Sequence, residues 1–336
     1  MRKELLFLIG CCHLLLTGCR HKREYFPHRL QPLDVHIERF DNALMQVSDT
    51  TALEDIRSLY DSFPDFMPVF VEQVLGIPAR DTACLAEQLP RFLTDTMYGF
   101  AATNRLEQEL FADITPIEKQ LGEALARMQY LFPEWDTPKI WLFVSGFNAS
   151  VLFLQEGIAV GADMYLGSDY PYYNRVVYDY QKRTMRPECM AADVVSAWLF
   201  RHVTFSGKQN RLLEQMLYRG RVMYLLSVLF REEQPWDVMG YSREQWQWCV
   251  KYERATWNRI IERRDLFSSE QRKIASYLND GPFTSEISQK SPGRLGTWVG
   301  WRIVESYMEH HKEVTMRQLM EESDAQKILE ESYYKP

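Results

Sequence analysis

The spacing of apolar residues changes twice along this chain, and these changes limit the folds that it can adopt. From residue 37 to about 130, apolar side chains recur every three or four positions. One such series is Leu106, Leu110, Ile114, Ile117, Leu121, Leu125 and Met128. This spacing is typical of helices that bury one face. Pro64, Pro68 and Pro78 would interrupt it. We therefore expect a helical half that extends to about residue 135.

The middle of the chain has the pattern of short strands. Residues 139–145 form a brief apolar run, and residues 151–154 and 157–160 flank a turn signal at Gln155-Glu156-Gly157. Two apolar runs on either side of such a turn predict a β-hairpin. We expect a small sheet within residues 139–162 that ends in this hairpin.

Beyond residue 188 the pattern is helical again. Ser242 with Gln245, and Thr315 with Gln318, fit the capping box that begins a helix. After Ser242, one face of a single helix is predicted to carry Trp246, Cys249, Val250, Trp257, Ile260 and Ile261. The sequence thus predicts an α+β fold, mainly helical, with one globular domain over residues 33–336.

The first residues resemble a bacterial lipoprotein signal. Arg2 and Lys3 precede an apolar run over residues 5–16, which is shorter than the ~20 helical residues that cross a bilayer. The run ends in Leu-Thr-Gly-Cys at residues 16–19, which resembles the lipobox. We expect residues 1–18 to be removed and Cys19 to be acylated, so that the chain is held to a membrane.

Residues 19–32 are predicted to form a basic stalk, either against anionic headgroups or as a solvated linker. Position 20 is arginine and not the aspartate that retains Gram-negative lipoproteins in the inner membrane. The expected location is therefore the outer membrane, facing the periplasm.

Composition favours a folded domain and argues against some partners. The chain is 46% hydrophobic with a formal charge of −7, so disorder and nucleic-acid binding are not expected. Cys84, Cys189 and Cys249 could form one disulfide in an oxidising compartment, but buried free thiols are the preferred interpretation. We predict no cofactor, no metal and no small-molecule substrate.

Residues 198–202 have the spacing of the HExxH motif of zinc peptidases, and they follow the predicted hairpin as in gluzincins. Trp198 stands where the first zinc ligand belongs and Leu199 where the general base belongs, so only His202 matches. The third ligand would be expected near Arg219. We therefore predict a fold that resembles a degenerate zinc peptidase, without catalysis. The simpler alternative is that His202 is an ordinary helix residue with a satisfied hydrogen bond.

Two other stretches are unusual enough to suggest a binding surface. Residues 163–173 combine aspartates with four tyrosines, and residues 290–304 contain Gly296 and Gly300 at a spacing that would let a helix approach its neighbour. The candidate surface residues are Tyr165, Asp169, Tyr170, Tyr172, Tyr173, His202, Arg294 and Trp298. The alternative is an aromatic loop folded onto its own domain.

These two stretches, with Val-Ser-Gly-Phe-Asn at 144–148, Met-Gly-Tyr-Ser at 239–242 and Tyr-Tyr-Lys-Pro at 333–336, resemble the gliding-motility lipoprotein GldB family. The resemblance covers about residue 33 to residue 336. It implies a Gram-negative cell-envelope lipoprotein, without an established enzymatic activity. We expect an assembly or scaffold factor that binds an envelope protein complex of motility or secretion. The alternative is a pseudo-peptidase that holds a peptide or protein segment in a cleft near His202.

Overall fold

A four-stranded mixed sheet separates two hydrophobic cores of the protein. The structure is a computed structural model, and it describes residues 23–95 and 100–336. The predicted signal peptide and Cys19 lie outside the described residues. The strands are β1 (Ile37–Arg39), β2 (Lys139–Phe143), β3 (Val151–Phe153) and β4 (Gly157–Gly161).

The sheet has the order β1-β2-β4-β3, and only β3 runs antiparallel to its neighbour. The hairpin of β3 and β4 is confirmed, and Leu154 N donates to Gly157 O across its turn. Strand β1 was not predicted, since its residues were assigned to the helical half.

Helices occupy most of the remaining chain, which confirms the mainly helical α+β class. Before β2 they are α1 (Phe40–Leu44), α2 (Ala52–Ser62), α3 (Met67–Val69), α4 (Thr82–Thr94), α5 (Phe100–Leu110) and α6 (Thr115–Leu131), and α3 continues into a π-helical turn at Phe70–Val74. After β4 a 3-10 turn at Ala162–Met164 leads to α7 (Tyr173–Val176), α8 (Asp179–Lys182), α9 (Pro187–His202), α10 (Leu212–Leu229) and α11 (Pro235–Met239).

The last third of the chain is also helical. Its helices are α12 (Arg243–Lys251), α13 (Glu253–Glu262), α14 (Gln271–Leu278), α15 (Leu295–His310), α16 (Met316–Glu321) and α17 (Ala325–Glu331), with a 3-10 turn at Asp265–Phe267. The capping boxes at Ser242 and Thr315 are confirmed, since each hydroxyl accepts from the backbone N–H three residues later. The single helix predicted after Ser242 is wrong. The helix is interrupted at Tyr252, which separates α12 from α13, and Val250 and Ile261 are exposed.

The two faces of the sheet bury alternate residues. Ile140 and Leu142 of β2 face a large core built mainly from α6, α9, α10 and α15. Trp141 and Phe143 face a smaller core with the aromatic residues of α1 to α3 and their π-helical turn. This alternation is the expected consequence of the two-residue period of a strand with both faces covered. Of the predicted helical half, α1 to α4 thus cover one side of the sheet, whereas α6 packs on the other.

Helices α10 and α15 approach closely because each has a glycine at their crossing. A Cβ added at Gly220 would overlap the backbone of Gly300, and a Cβ added at Gly300 would overlap the Met216 carbonyl. The prediction that Gly300 permits close packing is therefore confirmed. Trp298 and Trp301 are buried beside this contact, and Trp246 packs against both rings.

The start of the described chain packs against the domain through residues 23–26, whereas His28 and Arg29 of the predicted stalk are exposed. Arg23 Nη2 donates to Val314 O at 2.8 Å, and the hydroxyls of Tyr25 and Tyr224 lie 2.7 Å apart. Phe26 is buried in the larger core. Burial of aromatic rings is the main attachment here, since each ring removes a large apolar area from water.

The three cysteines of the described residues carry free thiols, as preferred from the sequence. Cys189 and Cys249 are buried, and Cys84 is half-buried. Burial raises the pKa of Cys189 to about 11, which keeps that thiol protonated and weakly nucleophilic at neutral pH.

Candidate functional site

Asp163 holds the loop that follows β2 in a strained conformation. Its carboxylate accepts hydrogen bonds from Ser145 N at 2.8 Å, Ser145 Oγ at 2.9 Å and Phe147 N at 2.6 Å. Phe147 has a φ of 62°, in the left-handed region that costs non-glycine residues free energy. Asp163 is fully buried, and this burial raises its pKa although the three hydrogen bonds oppose the shift. This role of Asp163 was not predicted from the sequence.

The tyrosines of residues 163–173 divide into two buried and two partly exposed side chains. Tyr165 is buried and donates to Asp193 Oδ2 at 3.0 Å. Tyr173 is buried, donates to Asp163 O at 2.8 Å and accepts from Leu166 N at 2.9 Å. These two residues therefore stabilise the loop and contribute no exposed surface, which corrects their place in the candidate set.

The other two tyrosines form a half-buried aromatic group with Phe147, and we call Phe147, Tyr170 and Tyr172 the aromatic ledge. The Phe147 and Tyr172 rings lie 4.7 Å apart between centroids, and those of Phe147 and Tyr170 lie 6.4 Å apart. The Tyr170 hydroxyl is 2.6 Å from Thr103 Oγ1 of α5. Asp169 is exposed next to the ledge. Asp169, Tyr170 and Tyr172 were predicted to belong to the candidate surface. Phe147 was noted only within the motif at residues 144–148 that carries the family resemblance.

Neither Arg294 nor Trp298 belongs to the surface that the tyrosines form, because Trp298 is buried and Arg294 is half-buried elsewhere. Trp298 is fully buried, and its Nε1 has no hydrogen-bond partner among the described residues. Arg294 begins α15 with a φ of 55°, pairs with Asp280 through Nε at 3.0 Å and also donates to Met239 O. Trp298 is therefore a packing residue, while Arg294 lines a cavity that is described below.

His202 ends α9 with its ring between two tryptophans. It stacks on Trp135 with centroids 4.8 Å apart, and Trp198 meets it edge-on at 5.3 Å. Nε2 lies 3.2 Å from Asp136 Oδ1, but the angle does not suit a hydrogen bond, and this atom has no such partner in the described chain. Burial lowers the pKa of His202 although Asp136 opposes the shift. The ring is thus neutral at pH 7, and its environment is that of a packed residue.

The positions that would form a zinc site do not converge. The Trp198 ring is buried, and its Nε1 donates to Asp136 O at 2.9 Å. Arg219 donates to Leu278 O at 2.7 Å. Over residues 23–95 and 100–336, no group of three His, Cys, Asp or Glu residues is placed to hold a metal ion. The predicted zinc-peptidase resemblance is therefore not supported.

A cavity of about 380 Å³ lies against a different face of α9. Asp193, Cys189, Arg183 and Arg294 are among its lining residues. Burial raises the pKa of Asp193 to about 6. Sequence reasoning missed this site, although an aspartate in the middle of the otherwise apolar helix α9 was a usable signal.

The fold and the candidate residues define a mainly helical α+β protein with a small mixed sheet. In residues 23–95 and 100–336, no helix has the length and apolar character needed to cross a membrane. The sequence profile of the family described as "Gliding motility protein GldB" matches residues 24–336. The chain therefore belongs to this family of gliding-motility lipoproteins, as the sequence resemblance predicted. No curated protein and no solved structure matches the chain.

Proposed function

We propose that this protein is a non-catalytic cell-envelope lipoprotein that helps to assemble an envelope machine. In this proposal Cys19 carries the acyl chains, and the domain faces the periplasm from the outer membrane. The lipobox at residues 16–19 and the arginine at position 20 support this location. Membership of the gliding-motility family supports a motility or secretion complex as the partner.

The observation that carries the proposal is the partly exposed aromatic ledge, in which Phe147 has a strained backbone. Tyr165 and Tyr173 fix the loop from inside, and Asp163 holds Phe147 in its left-handed conformation. A surface that is ordered before binding loses less conformational entropy when a partner docks. Tyrosine is also enriched at protein interfaces, because its ring gives contact area and its hydroxyl a polar group.

No comparable observation favours the alternative, a peptide-binding cleft around His202. Its ring is covered on one face by Trp135 and at one edge by Trp198. The cavity on α9 described above has Ala197 and Phe200 in its lining but not His202. We therefore propose the assembly role as the function of the chain.

The proposal is tested by photocrosslinking in living cells. A photoreactive phenylalanine analogue replaces Tyr172 in the ledge, and the same analogue replaces Tyr178 in a control strain. Tyr178 is a matched control because it is a nearby tyrosine with 70% exposure, outside the ledge. We expect position 172 to crosslink repeatedly to one envelope complex, and position 178 to give no such product.

A deletion strain completes the test. Loss of the chain should impair assembly of the crosslinked complex, and Tyr172→Ala should reproduce part of that defect while Tyr178→Ala does not. Normal assembly and secretion in the deletion strain would refute the assembly role. Equal crosslinking from both positions would refute the ledge as the docking surface.

A further inference from the structure

One face of α9 borders an open cavity. The residues of α9 that line it recur at helical spacing, namely Cys189, Ala192, Asp193, Ser196, Ala197 and Phe200. Residues 177–185, the end of α11 and the loop that precedes α15 form the other walls. The volume of about 380 Å³ falls in the ~300–1,000 Å³ range of small-ligand sites. We call it the α9 cavity.

Asp193 places a carboxylate without a direct ion pair in the wall of the α9 cavity. Its Oδ2 accepts a hydrogen bond from the Tyr165 hydroxyl at 3.0 Å. In the described part of the chain, Oδ1 has no hydrogen bond, and no cation lies within ion-pair distance of Asp193. Asp193 is half-buried, and Arg294 favours its ionised form only from beyond ion-pair distance. A partly desolvated carboxylate without a directly bound cation is less stable than one in water, so a ligand that brings a positive group would be stabilised here.

Arg183 places an unpaired cation in the same cavity. Its Nε donates to Gly240 O at 2.6 Å, and no carboxylate of the described ranges lies within ion-pair distance of it. The neighbouring Arg294 is already paired with Asp280 at 3.0 Å. Burial and the charge of Arg294 lower the pKa of Arg183. The terminal nitrogens of Arg183 are thus available for an anion, and a guanidinium binds a carboxylate well.

We propose that the α9 cavity binds a short peptide that carries both an ammonium group and a carboxylate. Asp193 accepts the ammonium group, and Arg183 donates to the carboxylate. The small side chains of Ala192, Ser196 and Ala197 leave room for a peptide backbone along α9. This site lies apart from the aromatic ledge, and the proposal does not depend on the assembly role.

The test is isothermal titration calorimetry on the full-length protein. The probes are N-acetylated tripeptides of alanine with one lysine, placed in turn at each position, and with a free C-terminal carboxylate. Each has two analogues, one with norleucine in place of lysine and one with a C-terminal amide. We expect one lysine position to bind, and loss of either charge to weaken binding at least about tenfold.

Charge-removing variants then assign the two contacts. Asp193→Asn should abolish the preference for lysine over norleucine but keep the preference for a free carboxylate, and Arg183→Met should do the reverse. Glu188→Gln, exposed on the same helix, and Arg57→Met, exposed on α2, should keep both preferences. Ala192→Leu would fill the α9 cavity and should remove binding altogether, which tests the site even where Asp193→Asn fails to fold.

The proposal is overturned by either of two results. One is that no peptide of the panel binds more tightly than about 10 mM. The other is that binding occurs with charge preferences that are the same in the wild type, Asp193→Asn and Arg183→Met, or that it persists in Ala192→Leu.

Discussion

Gly220 of α10 and Gly300 of α15 face each other so closely that neither has space for a Cβ. The atoms in the way belong to backbone, namely the Gly300 carbonyl for Gly220 and the Met216 carbonyl for Gly300. Backbone cannot yield as a flexible side chain does. The pair therefore sets the distance between α10 and α15.

We expect Gly300→Ala to lower the free energy of unfolding by about 3 kcal/mol or more, because the added methyl group must push the helices apart. Denaturant unfolding followed by circular dichroism measures this. Gly281→Ala is the matched control, since its Cβ would have only an ordinary contact at 3.6 Å with Phe283 O. Equal stability of the two variants would contradict the close approach.

The buried Arg221 donates hydrogen bonds to backbone carbonyl groups at the C-terminal end of α16. Its Nη1 donates to the carbonyl oxygens of Leu319 at 3.2 Å and Met320 at 3.1 Å, and also to that of Glu322. Arg221→Met should cost about 2–3 kcal/mol, because it leaves buried helix-end carbonyls without donors. Hydrogen exchange should show faster exchange over residues 316–336. Arg272→Met, at an exposed position, should leave that exchange unchanged.

Glu107 should make stability depend on pH. Both of its carboxylate oxygens are buried without a hydrogen-bond partner within the described residues. Its pKa is raised well above the ordinary value, mainly by burial and then by Asp163 and Asp41. The folded state thus keeps a proton that the unfolded state releases above about pH 4.5. The contribution of protonated Glu107 to the free energy of unfolding is complete below that pH. It is lost as the pH rises through the pKa that Glu107 has in the folded state.

Glu107→Gln removes this titration while keeping the size of the side chain. Its stability relative to wild type should therefore improve as pH rises, with a slope approaching about 1.4 kcal/mol per pH unit between the two pKa values. Denaturant unfolding at a series of pH values measures the slope. Glu188→Gln, exposed at the start of α9, is the matched control. A difference between Glu107→Gln and wild type that does not change with pH would contradict the raised pKa of Glu107.

His202→Ala should affect stability and not partner binding. The loss of stacking on Trp135 and of the edge contact with Trp198 should cost about 1 kcal/mol. Thermal unfolding measures this cost, and the photocrosslink from position 172 reports on the partner. A variant of unchanged stability that loses its partner would instead support the alternative of a binding cleft at His202.

Local signals in the sequence predicted the elements that local interactions determine. The turn residues 155–157 predicted the hairpin, and the capping residues Ser242 and Thr315 predicted the first turns of two helices. Strand β1 could not be found in this way. It has three residues, and it exists because Ile37 pairs with Ile140 about a hundred positions later, a contact without a local signature.

The candidate site was predicted only in part for a similar reason. The tyrosine-rich stretch was recognised as unusual, but its irregular backbone has no period from which inward and outward residues can be assigned. The direction of each ring depends on distant partners, such as Asp193 for Tyr165 and Thr103 for Tyr170. The role of Asp163 was not predicted because its partners Ser145 and Phe147 follow β2, whereas Asp163 follows the neighbouring parallel strand β4.

The docking of Arg23 and Tyr25 on the domain limits how far an acylated Cys19 could hold the protein from the bilayer. Four peptide units separate Cys19 from Arg23, and even a fully extended chain spans only about 14 Å over that length. The domain would then lie against the lipid headgroups, with the surface around Val314, where Arg23 binds, facing the lipid. Its partners would have to come to the membrane surface, because this tether is too short to reach across the periplasm.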